Sequence, residues 1–230
     1  MLLCGYHQLR FSALLPISSA QKPFVRAEMY AIFVLSATIQ MPETVGNAQT
    51  ASDRINTDIE QGLIYLIILQ LLLYCAVFTL MVKAGVGNNA LNGLYFYPKA
   101  VQEKVYELGL TDRQTVQQKR KIFMTIFFIV MLAVLLLIIG LWNGVVDFPD
   151  AYLQALIFLE VMNWYDGIVI DRLWVGHSKF WIIPGTEEIP FVQTWKQVFK
   201  KRGILTLIWI AGAAVVAALD VLIFGIILKG

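Results

Sequence analysis

Residues 62–82, GLIYLIILQLLLYCAVFTLMV, run for 21 positions without a charged side chain. At a rise of about 1.5 Å per residue a helix of this length covers about 30 Å, the thickness of a bilayer's hydrocarbon core. Few other features narrow the folding of a chain so far. Residues 122–146, 151–175 and 203–228 are apolar stretches of similar length. Together the four predict an all-α membrane protein, a four-transmembrane-helix bundle occupying residues 59–230. Composition agrees, since 58% of residues are hydrophobic and 15% charged, against about 25% charged in an ordinary soluble domain.

The third stretch, AYLQALIFLEVMNWYDGIVIDRLWV, carries Glu160, Asn163, Asp166, Asp171 and Arg172. A charge at the centre of a bilayer costs about 2.5 to 3.5 kcal/mol on insertion scales, so such groups normally face a protein interior or a wet cavity. Counted from Ala151, Glu160 lies about 13 Å deep, near mid-bilayer, and Asp171 reaches the far edge. At about 100° per residue, Glu160, Asn163, Trp164, Gly167, Asp171 and Trp174 share one face, and Asp166 falls to its side. Gly167 in that face permits close approach of a neighbouring helix. Gln70 interrupts the first span and Asp220 the fourth. If the first and third helices start at the same face, Gln70 comes level with Glu160.

Orientation follows from the basic residues. Residues 83–121 hold seven Lys or Arg and residues 172–202 hold six, while the connection Asp147-Phe-Pro-Asp150 has none. By the positive-inside rule both long loops are cytoplasmic and that short turn is external. An even number of spans then places Gly62 outside, which requires export of what precedes it. Residues 1–58 read as an N-terminal extension, with a signal segment at 22–48: Lys22 and Arg26 precede the apolar run 29–39, and Gly46-Asn47-Ala48 is a small-x-small cleavage pattern. A disordered extension is the alternative. The net charge of +2 gives no argument for nucleic acid, and Cys4 and Cys75 suggest neither a disulfide framework nor a metal knuckle.

Both long loops share an order of features. In the first, Leu94-Tyr-Phe-Tyr97 precedes Pro98 and a short helix with Val101, Val105 and Leu108 on one face, ending at Gly109; Thr111 and Gln114 suggest a capping box into the second span. In the second, Phe180-Trp-Ile-Ile183 leads to the Pro184-Gly185 turn, and Pro190 opens a helix with Val192, Trp195 and Phe199 opposite Lys196, Lys200 and Lys201. These are two cytoplasmic interfacial amphipathic helices, with the lipid bilayer as partner and anionic headgroups near Lys196, Lys200 and Lys201. Two repeated span-loop-span units would explain the parallel. With little residue identity between them, the plainer account is that a basic loop between spans acquires such a helix.

Two groups could carry chemistry. Glu160 is either a cation- or proton-handling carboxylate in a transport path or a buried acid hydrogen-bonded to Gln70 or Tyr74. At the cytoplasmic edge Asp166, Asp171, Arg172, His177 and Glu187, with Lys179 and Glu188, could gather around a divalent metal or a phosphate headgroup, although their spacing is no metal signature. No cofactor motif stands: Gly85-Val-Gly87-Asn-Asn-Ala90 imitates a dinucleotide loop but follows a spanning helix where that fingerprint needs a strand. Asp166-Gly167 with Asp171-Arg172 loosely resembles CDP-alcohol phosphotransferases, yet the further aspartates of that family are replaced by Val175, Gly176 and Ser178.

The run NWYDGIVIDRLWVGHSKFWIIPGTEE, with YFYPKAVQEKVYELGL before the second span, resembles a family of bacterial integral membrane proteins in which an Asp-containing helix runs into an aromatic stretch and Pro-Gly-Thr-Glu. The resemblance covers about the last 170 residues and implies a four-helix protein of the bacterial inner membrane, with no activity attached. Two classes of role remain open. One is a non-enzymatic membrane protein, a structural subunit or small carrier lined by the polar helix, with a membrane-protein partner or a second copy. The other is a membrane-interface enzyme acting on a lipid or lipid-linked substrate through the edge residues.

Overall fold

A computed structural model describes the backbone of residues 48–229 and the side chains of residues 61–226. The signal segment expected at 22–48 lies outside those residues but for Ala48. Gln49–Gly230 form one compact unit. Its elements are α1 (Ala48–Val86), a 3-10 segment (Ala90–Phe96), α2 (Lys99–Glu107), α3 (Arg113–Leu136) and α4 (Phe148–Tyr165), followed by a 3-10 turn (Lys179–Trp181) and α5 (Trp195–Lys229). Wide π-helical turns extend two of them: Leu137–Trp142 continues α3, and Asp166–Trp174 continues α4 to its last turn, Val175–His177. No strand occurs among the described residues.

Four helices are long and apolar enough to cross a membrane, Gln61–Val86, Arg113–Trp142, Phe148–His177 and Trp195–Ile226. The first, third and fourth outrun the apolar stretches that announce them, whereas the second starts early, at Arg113, and stops at Trp142, short of the expected residue 146. The third is the most enclosed, with 39% of its most apolar stretch buried by protein against 22–28% in the others. Its main neighbour is α5. Ala151 and Ala155 on α4, and Ala213 and Ala217 on α5, are fully buried. Each pair is one turn apart, the small-residue spacing that lets helix backbones come close.

The loops depart from three expectations. Val101 and Val105 of α2 are buried, but in protein: with Leu94, Val116, Trp181 and Ile183 they form one cluster. The second loop folds over the first, the Tyr97 hydroxyl donating to the Trp181 carbonyl at 2.7 Å, and burial pushes that hydroxyl's pKa well above its usual range. Protein therefore receives Val101 and Val105, while Leu108 at the end of that face stays exposed. The second amphipathic segment is no separate helix either. Residues from Trp195 onward are the first turns of α5, since Thr194 and Gln197 close a reciprocal capping box, Thr194 N donating to Gln197 Oε1 at 2.8 Å and Gln197 N to Thr194 Oγ1 at 3.4 Å. The box expected from Thr111 and Gln114 is not used. Asp112 caps α3 instead, accepting from Thr115 N at 2.8 Å and Thr115 Oγ1 at 2.6 Å.

Pro184-Gly185-Thr186-Glu187 makes a tight turn. Thr186 N donates to the Ile183 carbonyl at 3.0 Å, and Gly185 takes φ +84, which a type II turn with Pro at its second position requires. The Glu187 carboxylate accepts from Gly185 N at 2.9 Å. A side chain at Gly185 would also meet Leu108, at the end of α2.

Candidate functional site

Arg202 is the largest fully buried side chain of the described residues. It stands two turns into α5, at the end of the bundle where the basic loops lie. Its Nη1 meets Asp166 Oδ2 at 2.7 Å and its Nη2 meets Asp171 Oδ2 at 2.6 Å. Lys201 Nζ adds a contact to Asp171 at 3.3 Å, and Gln193 Nε2 donates to the same oxygen at 3.2 Å. On an α-helical wheel Asp166 falls beside this face, because five residues make one full turn and roughly 140° more. The backbone here is π-helical, with Val175 N–H bonded to the Ile170 carbonyl five residues back. Residues five apart stack in that geometry, so Asp166 and Asp171 fall in register.

Gly167 makes room for the guanidinium. A Cβ there would lie 2.6 Å from Arg202 Nε and 3.0 Å from Arg202 Cγ. The approach that the sequence assigns to a neighbouring helix is thus made by one side chain of that helix. In the sequence Arg202 stands out only as one of the basic loop residues, whereas the capping box at Thr194 sets the helix start early enough to carry it into the bundle.

Below this cluster the polar face of α4 continues. Asn163 Nδ2 donates to the Arg202 carbonyl at 3.1 Å and to Thr206 Oγ1 at 3.4 Å, and Thr206 Oγ1 donates to Glu160 Oε2 at 2.8 Å. Glu160 therefore bonds α5 and not Gln70 or Tyr74. The reason is an axial offset between α1 and α4: the contact of Thr79 Oγ1 with Tyr165 Oη at 2.8 Å joins residues 86 apart, which sets Gln70 level with residue 156, a turn from Glu160. Gln70 Nε2 donates to Asn143 Oδ1 at 2.6 Å, and Asn143 Nδ2 donates to Gln154 Oε1 at 2.8 Å, an amide chain across three helices. Tyr74 instead meets Phe158 edge to face, with ring centroids 5.7 Å apart.

The remaining edge residues do not join the cluster. Arg172 donates to the Gln193 carbonyl at 3.1 Å and lies over the Trp195 ring at 5.2 Å. His177 Nδ1 is 3.0 Å from the Leu173 carbonyl of its own helix. Glu187 stays in its turn, where hydrogen bonds from its own backbone N–H and from Gly185 hold its carboxyl below the usual carboxylate range. Among the described residues no group of three or more His, Cys, Asp or Glu side chains could hold a metal ion.

Next to the Arg202 cluster is a cavity of about 270 Å³. Phe78, Phe123, Phe127, Phe128, Met162 and Trp209 line its apolar part, and Asn163, Asp166, Asp171, Lys201 and Arg202 its polar end. Asn163 and Arg202 are each 2% exposed. Asn163 Oδ1 and Arg202 Nε nevertheless have no hydrogen-bond partner. The arrangement can seat a molecule that is oily over most of its length and polar at one end. No protein-family model matches this chain, and no curated protein and no solved structure matches it.

Proposed function

We propose that this chain is a small non-enzymatic carrier of a bacterial cytoplasmic membrane that seats an amphiphile beside its polar third span, with both long loops cytoplasmic. One observation carries the reading: the cavity beside α4 has aromatic walls and a single charged end. Apolar lining with a few placed polar groups is the usual make-up of a ligand site. The bias of Lys and Arg towards the two long loops supports the orientation. Lys196 and Lys200 are exposed beside Trp195 and Phe199, where they would hold anionic headgroups of the surrounding leaflet. Kinship with the bacterial membrane proteins that share the Pro-Gly-Thr-Glu pattern rests on residues 163–188 and 95–110.

A membrane-interface enzyme has less support. That reading needs Asp166, Asp171, His177 and Glu187 around one opening, and here the two aspartates are engaged by Arg202 while the other two are bonded locally.

The test is lipid retention by the full chain. Native mass spectrometry of protein extracted in mild detergent should find a bound amphiphile, and Phe127→Trp, which fills the cavity, should release it without unfolding the protein. An empty wild-type protein, or equal occupancy in the variant, would remove the carrier reading.

A further inference from the structure

The charged groups on the cavity wall, Asp166, Asp171, Lys201 and Arg202, are bonded to one another. Arg202 holds both aspartates and Lys201 holds the second of them, so the charges cancel in pairs that are already closed. A charged head entering here would shed its hydration and meet no free countercharge. We infer that the amphiphile has an uncharged head bearing a free hydroxyl, as in a diacylglycerol or an isoprenoid alcohol, seated between Asn163 and Trp209. This rests on the carrier reading above and names the ligand's class.

Hydrogen-bonding capacity carries the step from an uncharged head to a hydroxyl. Among the described residues six side chains hold a buried polar atom without a hydrogen-bond partner, and four of them, Asn163, Trp181, Arg202 and Trp209, belong to the cavity wall. Arg202 Nε is closed off against Gly167, and Trp181 is packed into the loop cluster. The other two come from the neighbouring helices α4 and α5. Asn163 Oδ1 is an acceptor and Trp209 Nε1 a donor. One hydroxyl answers both, giving its proton to the amide oxygen and accepting from the indole N–H. A carbonyl head, as in a quinone or an ester, only accepts and would leave Asn163 Oδ1 without a donor. Size agrees: at about 30 Å³ for each water-sized group the cavity holds about nine, a head and the first carbons of a chain. Phe128 of the apolar wall is 57% exposed, which leaves the rest of the tail a way into the surrounding acyl chains.

The test uses full-length protein in mild detergent, offered equal amounts of dioleoylglycerol, its acetate ester and its phosphate monoester, which differ only at the head. High salt strips phosphate held only by exposed lysines, and native mass spectrometry counts what stays. Wild-type protein should retain the free alcohol about tenfold over the phosphate and about fivefold over the acetate, the latter being the worth of one hydrogen bond. Trp209→Phe, which removes the N–H and keeps a ring, should cut retention of the alcohol about fivefold. Asn163→Leu should erase the margin of alcohol over acetate. A polyprenol offered beside the diacylglycerol tells the isoprenoid source from the glycerolipid one by which of the two is kept. Phosphate retained as well as the alcohol overturns the uncharged head, acetate retained as well overturns the hydroxyl, and a Trp209→Phe protein that retains the alcohol undiminished overturns the seat beside the indole; each leaves the carrier reading standing. A protein that copurifies with an amphiphile yet retains neither alcohol overturns the hydroxyl alone, and one that purifies empty and retains none of these lipids overturns the carrier reading with it.

Discussion

Asp166 and Asp171, five positions apart in one helix, hold opposite nitrogens of the Arg202 guanidinium at 2.7 and 2.6 Å. An α-helix would turn one of them away, so the π turn Asp166–Trp174 is what makes the pair a clamp. Wide turns of this kind are frequent at functional sites. Here the turn lies beside the cavity and supplies two of its four charges.

Removing the arginine leaves two carboxylates facing each other with only Lys201 near. Arg202→Met should therefore destabilise the protein by about 3 to 5 kcal/mol, the usual loss when one partner of a buried ion pair is deleted. The triple variant Arg202→Met, Asp166→Asn, Asp171→Asn should recover most of that loss, because what harms the single variant is the uncompensated charge. Denaturation in mixed micelles gives both values. A single variant as stable as wild type would mean that the cluster is solvated from the end of the bundle where the basic loops lie.

Gly167→Ala separates packing from helix propensity. Alanine is favoured over glycine in a helix by about 1 kcal/mol. Its Cβ would stand 2.6 Å from Arg202 Nε and 3.1 Å from Arg202 Cδ. The arginine cannot retreat, being fixed at the guanidinium by two aspartates, and overpacking of this kind costs about 1 to 3 kcal/mol. The variant should be less stable by up to about 2 kcal/mol, and the loss should vanish in an Arg202→Met background. Stabilisation in both backgrounds would show that the guanidinium moves freely.

The sequence announces the spans through length and lack of charge, and the four helices follow. It also displays the polar face of α4, but a wheel with a fixed angle per residue cannot foresee a π turn, which no residue in DGIVIDRLW signals. Arg202 was hidden for another reason. A lysine-rich approach to a span looks like a cytoplasmic anchor, and only the Thr194–Gln197 box shows that the helix is already two turns old when it reaches this arginine. The partners of Glu160 and Gln70 depended on axial stagger between helices, which side-chain packing sets and span boundaries do not. The face of α2 was legible as apolar. Whether lipid or protein covers such a face depends on the loop above it, here Trp181 and Ile183.

The Asp112 cap predicts a local pH dependence. The Thr115 hydroxyl and then its backbone N–H hold the Asp112 carboxyl below the usual carboxylate range. A depressed folded pKa contributes stability that is present above the unfolded value, about 3.9, and is lost as pH falls through the folded one. The protection factor of the Thr115 amide should be flat above about pH 5 and decline below about pH 4. In Asp112→Asn, which cannot titrate, it should stay level through that window. A decline of equal size in the variant would assign the effect to another group.

The amide chain Gln70–Asn143–Gln154 offers a cycle that measures what a polar contact is worth between spans. Gln70 is fully buried and its Nε2 is the donor to Asn143 Oδ1 at 2.6 Å. An unsatisfied buried acceptor costs about 1 to 3 kcal/mol, whereas hydrogen bonds between membrane helices average about 0.6 and reach about 1.7 kcal/mol. Asn143 Nδ2 keeps Gln154 Oε1 at 2.8 Å, but Asn143 Oδ1 loses its donor, so the scale of an unsatisfied acceptor applies. Gln70→Leu should lose about 1 to 3 kcal/mol. Asn143→Leu should lose more, since it strips partners from two helices at once. The double variant should fall short of the sum by about 0.6 to 1.7 kcal/mol, the coupling between the two amides. A sum that is simply additive would mean that the two side chains stabilise the bundle through packing alone, their polar ends exchanging freely with water from the nearby α3–α4 turn.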